Sequence, residues 1–265
     1  NIHINMDESL NIFDNNFKDI LNLGEAFDLL IEDNKDILEE VQEEIHFTYG
    51  RLEKMFHNDM GVFIDSDFYN WNRAKAVLEF LYDIDIKPLI VIDNTAFTTE
   101  KYTNVLKGFI EYFSALDFSP IEDLKFQFSS TISKEIKNYL LDFLNNEFSF
   151  EVLQDDFVIE NTLNQIYDTS YMLPYIIHNT IFKKDNLSFL RNFDVLEKAT
   201  NITNEVFVGA PGIVNDMGIR KPSYYAFYLL SKLANEIVSI DDGCIVTKSD
   251  DLYAILLYCH NNDMD

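Results

Sequence analysis

Short apolar runs alternate along this chain with stretches in which apolar residues return every three or four positions. Residues 34–47 place Ile37, Leu38, Val41 and Ile45 on one face of a helix, and residues 69–85 do the same with Trp71, Ala74, Leu78 and Leu81. Residues 99–116 form a third helical stretch, with Val105, Leu106, Phe109, Ile110 and Phe113 inward, and residues 133–146 a fourth. Residues 170–182 read as helix despite Pro174, which belongs in a first turn or at a kink. In "GIRKPSYYAFYLLSKL" (218–233), Pro222 suits a first helical turn, where a missing N–H costs nothing, and Tyr224, Phe227, Tyr228 and Leu230 follow at helical spacing. Between these helices lie strand candidates at 17–24, 46–52, 86–93, 123–130, 148–153, 156–161 and 187–196.

Strands that alternate with helices of this length predict parallel β/α units. Seven of them in one run favour a (β/α) barrel of TIM type over an open sheet. No Gly-rich phosphate loop follows any strand, which argues against a doubly wound nucleotide-binding fold. The rhythm then changes. "NEIVSI" (235–240), "GCIVTKS" (243–249) and "LYAILLY" (252–258) are β-rich, with turn signals at 241–243 and 249–251. "NIHIN" at the start is placed to pair with them.

Composition narrows the partners. Twenty Lys and Arg stand against 46 Asp and Glu, a formal net charge of −26. Nucleic-acid affinity comes from cations that displace counterions from phosphates, and this chain carries the opposite field. DNA contact is therefore expected only through another part of a parent chain, and anionic membrane surfaces are excluded on the same ground. No apolar run approaches the roughly 20 residues of a membrane span. Cys244 and Cys259 make no CxxC and read as reduced thiols of a cytoplasmic protein. The five histidines (3, 46, 57, 178 and 260) form no HExxH and no i, i+4 pair, so no metal is expected, and no cofactor. His57 beside Asp59 reads either as a strand-end pair or as a satisfied loop histidine. The first residue is Asn1, not Met, which predicts a segment of a longer chain.

Several motifs, in order, resemble the family 39 glycoside hydrolases, whose members include β-xylosidases and α-L-iduronidases. They are Gly24-Glu25-Ala26, Leu29-Leu30, Val41-Gln42 and Tyr49-Gly50-Arg51-Leu52, then "MFHNDMGVF" (55–63), "LYDIDIKPLIVI" (81–92), "YDTSYMLPYIIHN" (167–179), the Lys-Pro helix of 218–233 and "DGCIVTKSDDLYAILLY" (242–258). The resemblance implies a barrel followed by a β-sandwich. It also implies a retaining mechanism with two carboxylates about 5 Å apart. At the acid/base position, in "FQFSSTI", stands Thr131; the nucleophile position, in "VIENT", falls on Glu160, which also reads as one surface carboxylate among many. The family's sugar-holding His, Glu and Trp become Glu53, Val91 and Leu190, and the stretch from the fourth strand to Glu160 is short for a full barrel.

The expectation is thus an α/β fold: a degenerate, shortened (β/α) TIM-type barrel over 16–233, a partial antiparallel β-sandwich over 234–265, and an N-terminal strand in 1–15 packing on that appendage. With a threonine where a proton donor is needed, the chain is expected not to be an enzyme. Its ligand-pocket candidates are Arg51, Glu53, Asp59, Asp93, Glu160 and Arg191. Degenerate domains of this kind are similar to those of AraC-type transcription regulators of Gram-positive bacteria. A non-catalytic effector-sensing or interaction domain is therefore expected, cytoplasmic, with a small carbohydrate effector and with homodimerisation as a further role. The alternatives are an intracellular retaining glycosidase drawing its acid/base from Glu147 or Glu151, and a structural scaffold with no ligand.

Overall fold

The structure is a computed structural model that describes residues 9–65, 68–93, 97–118, 121–153, 163–182, 194–196, 206–250 and 252–260. In chain order the strands are β1 (Asn11–Ile12), β2 (Ile20–Glu25), β3 (Tyr49–Glu53), β4 (Lys87–Ile92), β5 (Lys125–Phe128), β6 (Glu151–Leu153), β7 (Asp194–Leu196), β8 (Gly212–Val214), β9 (Glu236–Asp241), β10 (Cys244–Lys248) and β11 (Tyr253–Leu257). The helices are α1 (Glu32–Ile45), α2 (Asn72–Asp83), α3 (Thr99–Ser114), α4 (Lys134–Phe143), α5 (Met172–Phe182) and α6 (Pro222–Ser231). The chain divides into two compact units, one built from residues 20–43 and 47–160, the other from residues up to 19, 44–46 and those from 161 on.

In the first unit β2 to β6 are parallel and lie in simple sequential order, each hydrogen-bonded to the next. A doubly wound sheet reverses its order near the middle; a sheet that adds each strand on the same side is the barrel type. One side of these strands is apolar. Leu21, Leu52, Ile90, Ile92, Phe126 and Phe128 are buried there, and helices α1 to α4 bring the buried side chains Leu38, Val41, Leu78, Leu81, Phe109, Phe113 and Leu140. The opposite side is mixed, with Asn22, Arg51 and Gln127 buried beside Leu89 and Val91. At Leu23–Gly24 the β2–β3 register shifts by a bulge, Asn22 facing Arg51 and Gly24 facing Leu52; Gly24 takes φ +78°, which a glycine accepts at little cost. Gln42 staples the end of α1. Its amide accepts from Phe47 N at 2.8 Å and donates to the carbonyls of Phe47 and Asp85 at 3.0 and 3.2 Å.

Helix ends follow the expected chemistry. Thr98 and Ser133 cap α3 and α4, accepting from Lys101 N and Ile136 N. The predicted helix of 133–146 stops at Phe143 and relaxes into a π turn, Leu144–Phe148, closed by Ser149 at φ +59°. The strand predicted over 148–153 is thereby cut to Glu151–Leu153. The strand predicted from 17 begins instead at Ile20, after a 3-10 turn at Asn16–Lys18 whose first N–H is taken by Asp14.

In the second unit β7 and β8 pair in parallel, and β1, β9, β10 and β11 form an antiparallel sheet in that order. β8 was not expected; three residues are too few to show a period. Pro174 is the third residue of α5 and Pro222 the first of α6, both positions where the missing N–H has no partner to lose. Lys221, just before Pro222, is fully buried. Its ammonium meets Asp168 Oδ1 at 2.5 Å as an ion pair and donates to the Ala210 carbonyl at 2.7 Å, while Asp168 Oδ2 accepts from Gly209 N at 2.6 Å. Gly209 sits at φ +73°, and a Cβ there would come within 2.9 Å of the Asn164 backbone. The strand candidate at 156–161 and most of that at 187–196, like "NIHIN", lie outside the described residues.

Candidate functional site

Parallel strands wound one way bring all their C-terminal ends to one face, and in barrel enzymes chemistry is carried there. In the first unit that face is supplied by Glu25 ending β2, Glu53 ending β3, Asp93 following β4, and Ser129 following β5. Glu25 and Glu53 are direct register partners on adjacent strands. Two neighbouring carboxylates repel, and each has its own cation. Arg51 Nη1 reaches Glu53 Oε1 at 2.6 Å, and Lys54 Nζ reaches Glu25 Oε1 at 2.6 Å. The hydrogen bond from Lys54 to Glu25 raises the Lys54 pKa above its ordinary value, against the effect of burial, and the charges of Glu25, Glu53 and Asp93 add to it.

Arg51 is also tied across the sheet, its Nε donating to Gln127 Oε1 at 2.7 Å. Val91 lies between them on β4, in register with Gln127, and its short apolar side chain leaves the path open. His57 Nε2 lies 3.0 Å from Asp93 Oδ2. The Tyr102 hydroxyl donates to the Asp93 carbonyl at 2.7 Å and fixes the chain just past β4.

Of the residues singled out by sequence, Arg51, Glu53 and Asp93 therefore stand at the strand-end face. Asp59 lies in the 3-10 turn Asn58–Met60, where its carbonyl accepts from Arg73. His57 turns to Asp93 and not to its sequence neighbour Asp59. Thr131 is exposed just beyond β5, its hydroxyl 2.9 Å from that of Ser129. Glu160 and Arg191 lie outside the described residues. Glu151 opens β6, at the opposite end of the strand from this face, and pairs with Lys125 at 2.9 Å; Glu147 sits in the π turn. Sequence reasoning passed over Glu25, Lys54 and Gln127. Their signal was position alone: each lies in or beside the last turn of a strand that was itself legible. Among the described residues no three His, Cys, Asp or Glu side chains gather so as to hold a metal ion, and no helix is long and apolar enough to cross a membrane.

An α/β barrel with an added antiparallel sheet is the architecture of a class of glycosidases. The chain is similar in fold to a GH39 β-xylosidase from Caulobacter crescentus, with a TM-score of 0.81 and 15% identity over 96% of this chain and 80% of that one. A GH39 enzyme from Xanthomonas axonopodis pv. citri superposes with a TM-score of 0.75 and 11% identity, over 98% of this chain and 75% of that one. In sequence the chain is similar to uncharacterized HTH-type transcriptional regulators of Staphylococcus aureus. With that of strain N315 it shares 24% identity over 153 residues, 54% of this chain and 20% of the regulator. The matched segment thus spans about a fifth of the length of these relatives. No family model matches the chain.

The expectation that the chain is no enzyme is corrected by these matches. Its fold, over nearly its whole length, is that of β-xylosidases. A threonine at one position does not remove the carboxylates, and three of them, Glu25, Glu53 and Asp93, stand on or beside strand ends of the face where a barrel does its chemistry.

Proposed function

We propose that this chain is the carbohydrate-sensing part of a longer, cytoplasmic bacterial transcription regulator of the AraC type, reading DNA through another segment of the parent chain. The observation that carries the reading is the coincidence of two likenesses in one chain, regulators in sequence and β-xylosidases in fold. The net charge of −26 supports it, since a segment so acidic is unsuited to phosphate contact. The sugar would sit at the strand ends against Arg51, Glu53 and Asp93. A thermal-shift screen over pentoses, hexoses and their disaccharides tests it. A ligand at 100 times its Kd adds about 2.7 kcal/mol, a rise of roughly 5–10 °C for a chain of this size. A flat screen overturns sensing.

A second reading, an active retaining glycosidase, is favoured by the carboxylates at the strand ends. It predicts turnover of an aryl β-xyloside that is lost in Glu160→Gln. An aryl leaving group needs little protonation, so turnover of that substrate tests the nucleophile by itself. No turnover with intact protein rejects it.

A further inference from the structure

At the strand ends of the first unit Arg51 and Lys54 already hold carboxylates of their own. Two cations stand there against carboxylates, Arg51 with Glu53 and Lys54 with Glu25, and His57 Nε2 lies 3.0 Å from Asp93 Oδ2. Two more cations on the loop side, Lys101 and Lys137, stand over the rings of Phe63 and Phe97, and of Phe128. At Arg51 and at Lys54, a ligand carboxylate or phosphate meets a cation whose carboxylate partner it would have to displace. At Arg51 it would have to expel Glu53 from a 2.6 Å contact, exchanging one carboxylate for another, and the expelled Glu53 would remain beside Glu25, its register partner. That exchange gains nothing. Hydroxyl groups meet the opposite situation. Glu53 and Glu25 are about one-third exposed and, once ionised, are acceptors only, with lone pairs beyond those their cations use. Such a surface recognises donors, and a bond from a hydroxyl to a carboxylate is among the stronger kinds.

Resting on the sensing reading above, we infer that the ligand of this face is an uncharged, polyhydroxyl sugar, and that Glu53 excludes acidic sugars by occupying the Arg51 guanidinium. Glu53 acts as a specificity residue through Arg51, whose side chain is 7% exposed and held from the other side by Gln127.

Calorimetric titration at near-neutral pH and low salt tests this, with xylose and xylobiose as neutral probes and glucuronate and galacturonate as acidic ones. The wild-type chain is expected to prefer the neutral probes. Glu53→Gln keeps the shape and removes the charge, and it should raise the uronate-to-neutral affinity ratio by roughly tenfold or more, the scale of one charge-assisted bond. Adding Arg51→Met to that variant should abolish the gain. Circular dichroism verifies folding, and Glu53→Ser replaces Glu53→Gln should the latter be unfolded. A wild-type chain that binds uronates as tightly as neutral sugars overturns the inference and leaves sensing standing. So does an unchanged ratio in Glu53→Gln. Should the wild type bind neither class while Glu53→Gln binds uronates, sensing fails and the masking of Arg51 holds. No binding by any variant sinks both.

Discussion

Among the described residues each of the two units buries one cation among polar partners, and the two are held in different ways. Lys221 is wholly enclosed, with a carboxylate on one side and a main-chain carbonyl on the other, and Asp168 is in turn held by Gly209. Asp168 and the Ala210 carbonyl hold that ammonium on two sides, and the side chain has no exposed surface. Arg51 is nearly as buried, yet its carboxylate partner Glu53 stands one-third exposed at the end of a strand. The same kind of charge serves as a rivet in one unit and as part of a surface in the other. What separates them is the exposure of the partner, not of the cation.

The largest expected effect comes from breaking the rivet. Lys221→Met leaves the Asp168 carboxylate without its cation, and loss of one member of a buried pair costs about 3–5 kcal/mol, measured as a fall in urea midpoint. Arg51→Met should cost less, about 1–2 kcal/mol, because Glu53 can turn to water and Gln127 loses a single bond. It should at the same time weaken the response to neutral sugar, because Glu53 loses the cation that positions it, whereas Lys221 variants that stay folded retain that response. An equal loss of stability in the two variants would erase the contrast.

The smallest effect is one of pH, beside Lys221. Glu44 accepts from the Tyr224 hydroxyl and from Arg220 at 2.9 and 3.1 Å. The Tyr224 bond first, and then Arg220, hold its carboxyl below the ordinary 4.5, although burial pulls the other way. A carboxyl depressed in the folded state stabilises above its unfolded pKa, and that contribution disappears as pH falls through the folded value. The wild-type chain should therefore lose more stability between about pH 5 and pH 3 than Glu44→Gln does, read from thermal midpoints across that window. Identical slopes would show that the pair adds nothing to the fold.

The helices were legible because amphipathic spacing is local: α1 to α4 begin within three residues of the positions their apolar faces predict. The strands before them were legible for the same reason, and so was the barrel type, since order along the chain became order in the sheet. The site was legible only residue by residue. Arg51, Glu53 and Asp93 were named, yet Gln127 lies 76 positions from Arg51 and Lys54 lies 29 from Glu25, and no local pattern encodes such meetings. For His57 the sequence left a pair with Asp59 and a satisfied loop histidine both open, and neither named Asp93, its neighbour in space at 3.0 Å. The expectation of inactivity, drawn from Thr131, the replaced sugar contacts and the short barrel, is overturned by the fold likeness to β-xylosidases, and carboxylates do stand at the strand ends.

The bulge at Leu23–Gly24 has a consequence for the rim. Because β2 carries one residue more than its neighbour pairs with, that residue is taken up at the bulge and Glu25 still finishes level with Glu53. The height at which the two acidic residues of the rim meet is therefore set by Gly24, whose positive φ the bulge uses.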